Sequence, residues 1–333
     1  MTVSQQEIRA YLSPDGQEHF DDIVLLRKLG ASPNIKAIGC MLQDLAANAA
    51  QNGLSAATLK ERALALCDFF VTLRGESSYA IVTAVRMLLR GIDDVGSDDL
   101  DGLCAFLTEA PTLFQAKNTQ WMEAVRTYGY RLIAEMQTIL VFDYSSSVAA
   151  LMDEARKHGK ALHVLIPESR ALDGGRPFVE DCLRMGHHPH FFPDAAMEFF
   201  VKRTEACFIG AETFYADGSA KNTVGSSTLS YLCKRYHKPF YIPTTMLKVS
   251  PASVEGNPKR ELSHDLRQNL ASHWPEDLQR ITDFSCPDLD IIEAEYITGY
   301  ITERGVIPPY AMFGVCTDYL NELSDLGETY GSV

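Results

Sequence analysis

The stretch GAETFYADGSAKNTVGSS, residues 210–227, sets an acid, a polar turn and a hydroxyl-rich segment close together. Glu212 ends one apolar run, ACFIGAE, and Asp143 ends another, TILVFDYS. Two carboxylates in a partly dry pocket can be split into one protonated and one ionised group, an acid and a base. They can also simply accept hydrogen bonds from loop amides. Gly225, Ser226 and Ser227 open a helical pattern. Backbone N–H groups and hydroxyls at such a start suit a phosphate, although serine is also a preferred helix cap. A small, hydroxylated, anionic ligand fits this set, and the question is whether the protein holds it or transforms it.

Other chemistries find less support. No G-x-G-x-x-G opens a helix, and no G-x-x-x-x-G-K-S/T is present, so neither a dinucleotide fingerprint nor a P-loop is expected. His187, His188 and His190 fall in MGHHPHFF. They lie at a helix-to-strand turn without a carboxylate or cysteine at ligand spacing, so a solvated loop is expected. No metal or cofactor is expected. Arg74 and Arg86, in RGESSYAIVTAVR, could reach toward a phosphate or stay exposed.

The elements that must position these residues change in character along the chain. Residues 5–137 read as helices, with apolar positions every three or four residues. Ser55 is a candidate N-cap, SDDLDGLCAFLTEA and NTQWMEAVRTYGYRLIAEM read as separate helices, and no strand is expected before residue 137. After that, short apolar runs (TILVFDYS, ALHVLIPES, PHFFP, ACFIGAE, PFYIPTT) alternate with helical segments. This rhythm predicts an α/β fold, a helical N-terminal domain (1–125) followed by a doubly wound parallel-sheet domain (126–333). Right-handed crossovers put the strand ends on one edge, where ligands bind. That edge would carry Asp143, Tyr144, Ser145, Glu168, Ser169, Arg170, Asp194, Glu212, Thr244, Thr245 and Lys248. Near the end, IIEAEYITGYITERGVIPPYAMF is expected to give a helix and a short strand at residues 305–307.

The formal net charge of -14 argues against a nucleic-acid or anionic-membrane surface. The eight cysteines include no C-x-x-C and fit buried thiols in a reducing compartment. The first residues lack a basic region followed by an apolar one, so no signal peptide is expected. A cytoplasmic protein is expected.

Several segments resemble one superfamily, that of the ribose-1,5-bisphosphate isomerases, the methylthioribose-1-phosphate isomerases and the regulatory subunits of translation initiation factor 2B. GAETFYADGSAKNTVGSS resembles its GAD-x-I-x-x-NG-x-x-x-NKIGT, and ILVFDYSSS its I-x-THC-N-S. ITERGVIPP resembles ITE-x-GV-x-x-P, and PTTMLKVSP the ETYKFSP of the bisphosphate isomerases. LGASPNI and RGESSYAIVTAVR resemble isomerase segments of the helical half. The resemblance implies a helical N-terminal domain, a Rossmann-like C-terminal domain and a homodimer or larger homo-oligomer. It implies conversion of an aldose 1-phosphate to a ketose 1-phosphate by a cysteine and an aspartate, without metal.

This chain departs at those positions. The family cysteine falls at Asp143, the aspartate at Glu212 and the NKIGT lysine at Thr223. The arginine before Gly30 and Ala31 falls at Leu29, beside Lys28. Arg74, Arg86, Glu168, Arg170, Asn222, Gly225 and Lys248 match. Asp143 and Glu212 are therefore the candidate catalytic pair. Lys28, Gly30, Ala31, Arg74, Arg86, Tyr144, Ser145, Arg170, Asn222, Thr223, Gly225, Ser226 and Lys248 are the candidate substrate-binding residues. The preferred expectation is an isomerase acting on a phosphorylated sugar. The alternative is a non-catalytic sugar-phosphate or nucleotide-binding regulatory subunit.

Overall fold

The computed structural model of the chain describes residues 4–25, 27, 30–75, 78–256 and 263–324. Two compact units divide between Gln120 and Trp121. The first unit contains α1 (Gln5–Ala10), α2 (Pro14–Val24), α3 (Ala31–Asn48), α4 (Ala56–Arg74), α5 (Tyr79–Leu88) and the start of α6 (Leu100–Ile133). The expected boundary at 125 falls within that same α6. Serine side chains cap three of these helices: Ser4 accepts from Glu7 N–H, Ser13 from Gly16 and Ser55 from Thr58. The two helices expected after Ser97 are one, with Pro111 inside it. The helix continues through a residue that removes a helical hydrogen bond. Gly39 of α3 lies so close that a Cβ there would sit 3.0 Å from Pro111 Cβ.

The second unit, residues 121–317, follows the alternation read from sequence. It runs β1 (Thr138–Phe142), α7 (Ser146–Lys157), β2 (His163–Pro167), α8 (Arg176–Met185), β3 (His188–Phe192), α9 (Met197–Val201) and β4 (Ala206–Ile209). Next come β5 (Thr213–Tyr215), β6 (Ala220–Thr223), α10 (Ser226–Arg235), β7 (Phe240–Pro243) and β8 (Val249–Ser250). The last part holds β9 (Ser263–Asp265), α11 (Arg267–Ala271), α12 (Glu276–Ile281), β10 (Ser285–Pro287), β11 (Leu289–Ile292), β12 (Gly299–Thr302), β13 (Gly305–Ile307) and the start of α13 (Met312–Ser324), whose residues from Asp318 on belong to the first unit.

The main sheet has the order β13-β12-β7-β4-β1-β2-β3. Its pairs are parallel except β12 with β13. The chain leaves β1 toward β2 and β3, then returns to β4 on the other side of β1. That reversal places the switch point between β1 and β4. The inner strands β1, β2 and β4 are apolar runs because both faces are covered, whereas the edge strand β3 is largely exposed. Ile139, Val141, Val164, Ile166 and Phe208 bury one face against Val148, Leu151 and Met152 of α7 and Phe178 of α8.

Three expectations fail here. Residues 291–302, read as a helix, are strand at 291–292 and 299–302, with only a 3₁₀ turn, Ala294–Tyr296, between them. The β-branched Ile291, Ile292, Ile301 and Thr302 pair with β6, β7 and β13. A second sheet, β11-β6-β5-β8, was not foreseen, because strands of two to four residues carry too little pattern to register. His187 is not in a solvated loop but buried. Its Nδ1 accepts from Leu162 N–H at 3.2 Å, so its proton sits on Nε2, facing the Met152 carbonyl at 2.9 Å. Burial lowers its pKa. His188 and His190 are exposed on β3.

Gly129 of α6 packs on α7 so closely that a Cβ would sit 2.4 Å from Leu151 Cγ. Alanine gains about 1 kcal/mol in helix propensity, whereas overpacking costs about 1–3 kcal/mol. Gly129→Ala is therefore expected to lower the urea midpoint of unfolding. An unchanged or higher midpoint would show that this contact gives way freely.

Candidate active site

The end of β1 and the end of β4 meet at the switch point. Ser145 caps α7, accepting from Val148 N–H at 3.4 Å. A Cβ at Gly210 would lie 2.8 Å from Ser145 Oγ, so glycine permits the two strand ends to touch. Between them stands Asp143, with φ 54°. This left-handed backbone costs a non-glycine residue on the order of 1 kcal/mol or more, and aspartate is among the residues that adopt it most readily.

The Asp143 side chain is enclosed. Thr223 Oγ1 donates to Oδ2 at 2.6 Å, and Ser169 Oγ donates to Oδ1 at 3.0 Å. Gly174 covers another side, where a Cβ would fall 1.8 Å from Oδ1. Burial raises the Asp143 carboxyl above the ordinary range. The two hydroxyls pull it down, and the Glu212 charge adds to the rise. Burial wins because two neutral donors replace only part of the lost hydration.

Glu212 is half-buried after β4, and its N–H donates to the Lys221 carbonyl at 2.9 Å. Lys221 is 2% exposed and shares a face of β6 with Thr223, two residues on. Lys248 Nζ donates to the Ala211 carbonyl at 2.6 Å, beside Glu212. The turn that carries Lys248 is held by Glu303, whose carboxylate accepts from Met246 N–H at 3.0 and 3.2 Å. Burial raises the Glu303 carboxyl as well.

The start of α10, expected to cradle a phosphate, holds an anion of the chain's own. Asp290 accepts from Gly225 N–H at 2.9 Å, from Ser227 N–H at 3.2 Å and from Ser227 Oγ at 3.0 Å. Ser226 is fully buried and its hydroxyl accepts from Asn222 Nδ2 at 3.0 Å. Tyr144 turns to α8, its ring on Phe178 and its hydroxyl donating to Asp181 at 3.2 Å. Arg170 donates its N–H to Asp194 at 2.9 Å. Gly30, Ala31, Arg74 and Arg86 belong to the helical unit, where Gly30 (φ 88°) precedes α3 and Arg86 is exposed. Lys28 lies outside the described residues.

Sequence reading placed Ser169 on this edge but missed Gly174 and Asp290 as parts of this arrangement. The Gly174-Gly175 pair after a strand was a visible sign of a tight loop. Asp290, 65 residues from Gly225, gave no local sign. Among the described residues no group of three or more metal-binding side chains is assembled, and no helix is long and apolar enough to cross a membrane.

A largely parallel sheet with an enclosed acid at its switch point defines a doubly wound α/β fold. The chain belongs to the Initiation factor 2 subunit family, whose model matches residues 36–309. It is 23% identical over 221 residues to ribose 1,5-bisphosphate isomerase of Thermococcus kodakarensis, covering 65% of this chain and 67% of that enzyme. It is 26% identical over 260 residues to methylthioribose-1-phosphate isomerase of Geobacter sulfurreducens, covering 73% of each. The fold matches that of translation initiation factor eIF-2B from Pyrococcus horikoshii OT3, with a TM-score of 0.73, 20% identity and coverage of 90% of this chain and 98% of that one.

The raised Asp143 pKa has a consequence for stability. In the unfolded chain an aspartate titrates near ~3.9, and the fold favours the neutral form. This contribution is fully present below that pH and is lost as pH rises through the higher folded value. Asp143→Asn removes the charge and suits the left-handed backbone. The variant is expected to gain about 1 kcal/mol or more at pH 7, roughly 2–4 °C in melting temperature. The gain should vanish near pH 4. A gain independent of pH would show that the buried charge is not its source.

Proposed function

We propose that the chain is an intramolecular aldose–ketose isomerase for a phosphorylated pentose of the ribose 1,5-bisphosphate type. The observation that carries this reading is Asp143, a carboxyl enclosed at the strand-end switch point and raised above the ordinary range by burial, with the Glu212 charge adding to the rise. Asp143 serves as the acid and Glu212 as the base. Asp143 protonates the ring oxygen as its bond to C1 breaks, while Glu212 takes the proton from C2. The C1–C2 double bond that forms is an enediol whose C1 oxygen stays esterified to phosphate. Return of a proton to C1 and loss of the O2 proton give the ketone. Atoms balance, and the phosphate never leaves. Lys248 and Arg170 are the cations proposed to meet phosphate on this edge, with Ser145, Asn222, Thr223, Gly225 and Ser226 shaping its floor.

The similarity to two isomerases supports the reaction class. A homodimer or larger assembly belongs to the same proposal. Tyr310 and Phe313, 89% and 58% exposed and three residues apart, offer it exposed aromatic side chains. A second reading, a non-catalytic regulatory subunit that binds a sugar phosphate or nucleotide, draws support from Asp290. Its carboxylate occupies the helix start where a ligand phosphate would otherwise be held.

Incubation with ribose 1,5-bisphosphate and other aldose 1-phosphates, followed by NMR, separates the two. Ketose formation is expected, and Asp143→Asn and Glu212→Gln should each lower kcat by about 10²-fold or more. Tight binding without turnover for every aldose phosphate would favour the regulatory reading.

A further inference from the structure

The loop between β2 and α8 is the piece that reaches Asp143, and its own shape is not self-explanatory. Ser169 has φ 50° and Asp173 φ 54°, both left-handed without being glycine. Ser169 is 1% exposed, yet its hydroxyl is the one that donates to Asp143 Oδ1. Such a backbone persists only where its surroundings over-determine it. Internal bonds close the loop, from Gly174 N–H to the Ser169 carbonyl at 3.3 Å and from Gly175 N–H to the Glu168 carbonyl at 3.1 Å. They do not fix the first two amides.

Asp194 does. It follows β3, the strand next to β2, and its carboxylate grips two successive N–H groups. Ser169 N–H donates to Oδ1 and Arg170 N–H to Oδ2, each at 2.9 Å. A carboxylate spanning two adjacent amides sets their orientation as well as their place. It therefore sets the direction of the Ser169 side chain. Three strand ends are linked in one line: Asp194 after β3, Ser169 after β2, Asp143 after β1.

We propose that Asp194 is a positioning residue, which acts through Ser169 to hold and tune the Asp143 carboxyl. It touches neither the ligand edge of Asp143 nor Asp143 itself. Its effect passes through one hydroxyl. The charged groups facing this line are few. Glu212 acts on Asp143 from the end of β4. Glu168 and Arg170 flank Ser169 on its own loop. Thr223, from β6, holds the other carboxylate oxygen. Ser169→Ala removes the hydroxyl without changing any charge, so it separates the hydrogen bond from the loss of the Asp194 charge in Asp194→Ala.

The proposal rests on Asp143 being the site's acid, but its test does not need turnover. The full-length protein labelled with ¹³C at aspartate carboxyls is titrated by NMR, with Asp143 assigned by its disappearance in Asp143→Asn. A hydroxyl that favours the carboxylate form lowers the midpoint, so losing it raises the midpoint. Ser169→Ala and Asp194→Ala are each expected to raise it by about one unit. The double variant is expected to match either single one, because both break the same link. Fully additive shifts, or an unmoved midpoint in Asp194→Ala beside a raised one in Ser169→Ala, would overturn the proposal. Melting temperature read alongside identifies a variant that merely unfolds; Asp194→Asn, which keeps the shape but cannot accept from both amides, then replaces Asp194→Ala, and an unmoved midpoint in it beside a raised one in Ser169→Ala overturns the proposal. If the protein turns over substrate, the acid dependence of kcat should follow the same order. If it does not, the NMR result stands independently.

Discussion

Everything at the strand ends depends on one constraint, a carboxyl group forced out of water at the switch point. Asp143 stands where β1 and β4 part, on a backbone that leans left-handed, and it is enclosed by Thr223, Ser169 and Gly174. Two neutral donors soften the effect of burial but do not cancel it, so the carboxyl stays raised above the ordinary range. The surrounding architecture serves that enclosure. The small β11-β6-β5-β8 sheet brings Thr223. The loop after β2 brings Ser169. The parallel sheet fixes the spacing of all the strand ends.

The same enclosure implies a division of labour between two acids of one sheet. Asp143 is walled in, while Glu212 is half-buried. A pair whose surroundings differ in this way is suited to give one proton and take another. Lys248, bonded to the Ala211 carbonyl, supplies a cation at the same edge. Asp290 instead neutralises the start of α10 from within the chain. Under the proposed function, anion binding then falls to side-chain cations rather than to the helix dipole.

Much of this was legible in the sequence, and the reasons are physical. The parallel strands are apolar runs such as TILVF and ACFI, buried on both faces, which leave a clear mark. The polar residue that ends each run stands out against it, and so Asp143 and Glu212 could be named. Thr223 could be named as a site residue only through family resemblance, and its bond to Asp143 came from the fold. What could not be read depends on distant partners or short elements. Residues 299–302 were read as helix, although strand pairing with β7 and β13 decides them. Ser169 and Asp194 matter through a left-handed turn whose backbone no local pattern announces. His187 owes its burial to β2 and α7 neighbours, not to the histidines around it.

The central claim is that Asp143 and Glu212 move a proton between carbons rather than merely hold a ligand. Turnover of ribose 1,5-bisphosphate in deuterated water tests it most directly, with the product read by NMR. Proton transfer through the solvent-exchangeable Glu212 carboxyl predicts deuterium at C1 of the ketose. Product formed without any deuterium at C1 would contradict the claim and indicate direct hydride transfer between C2 and C1.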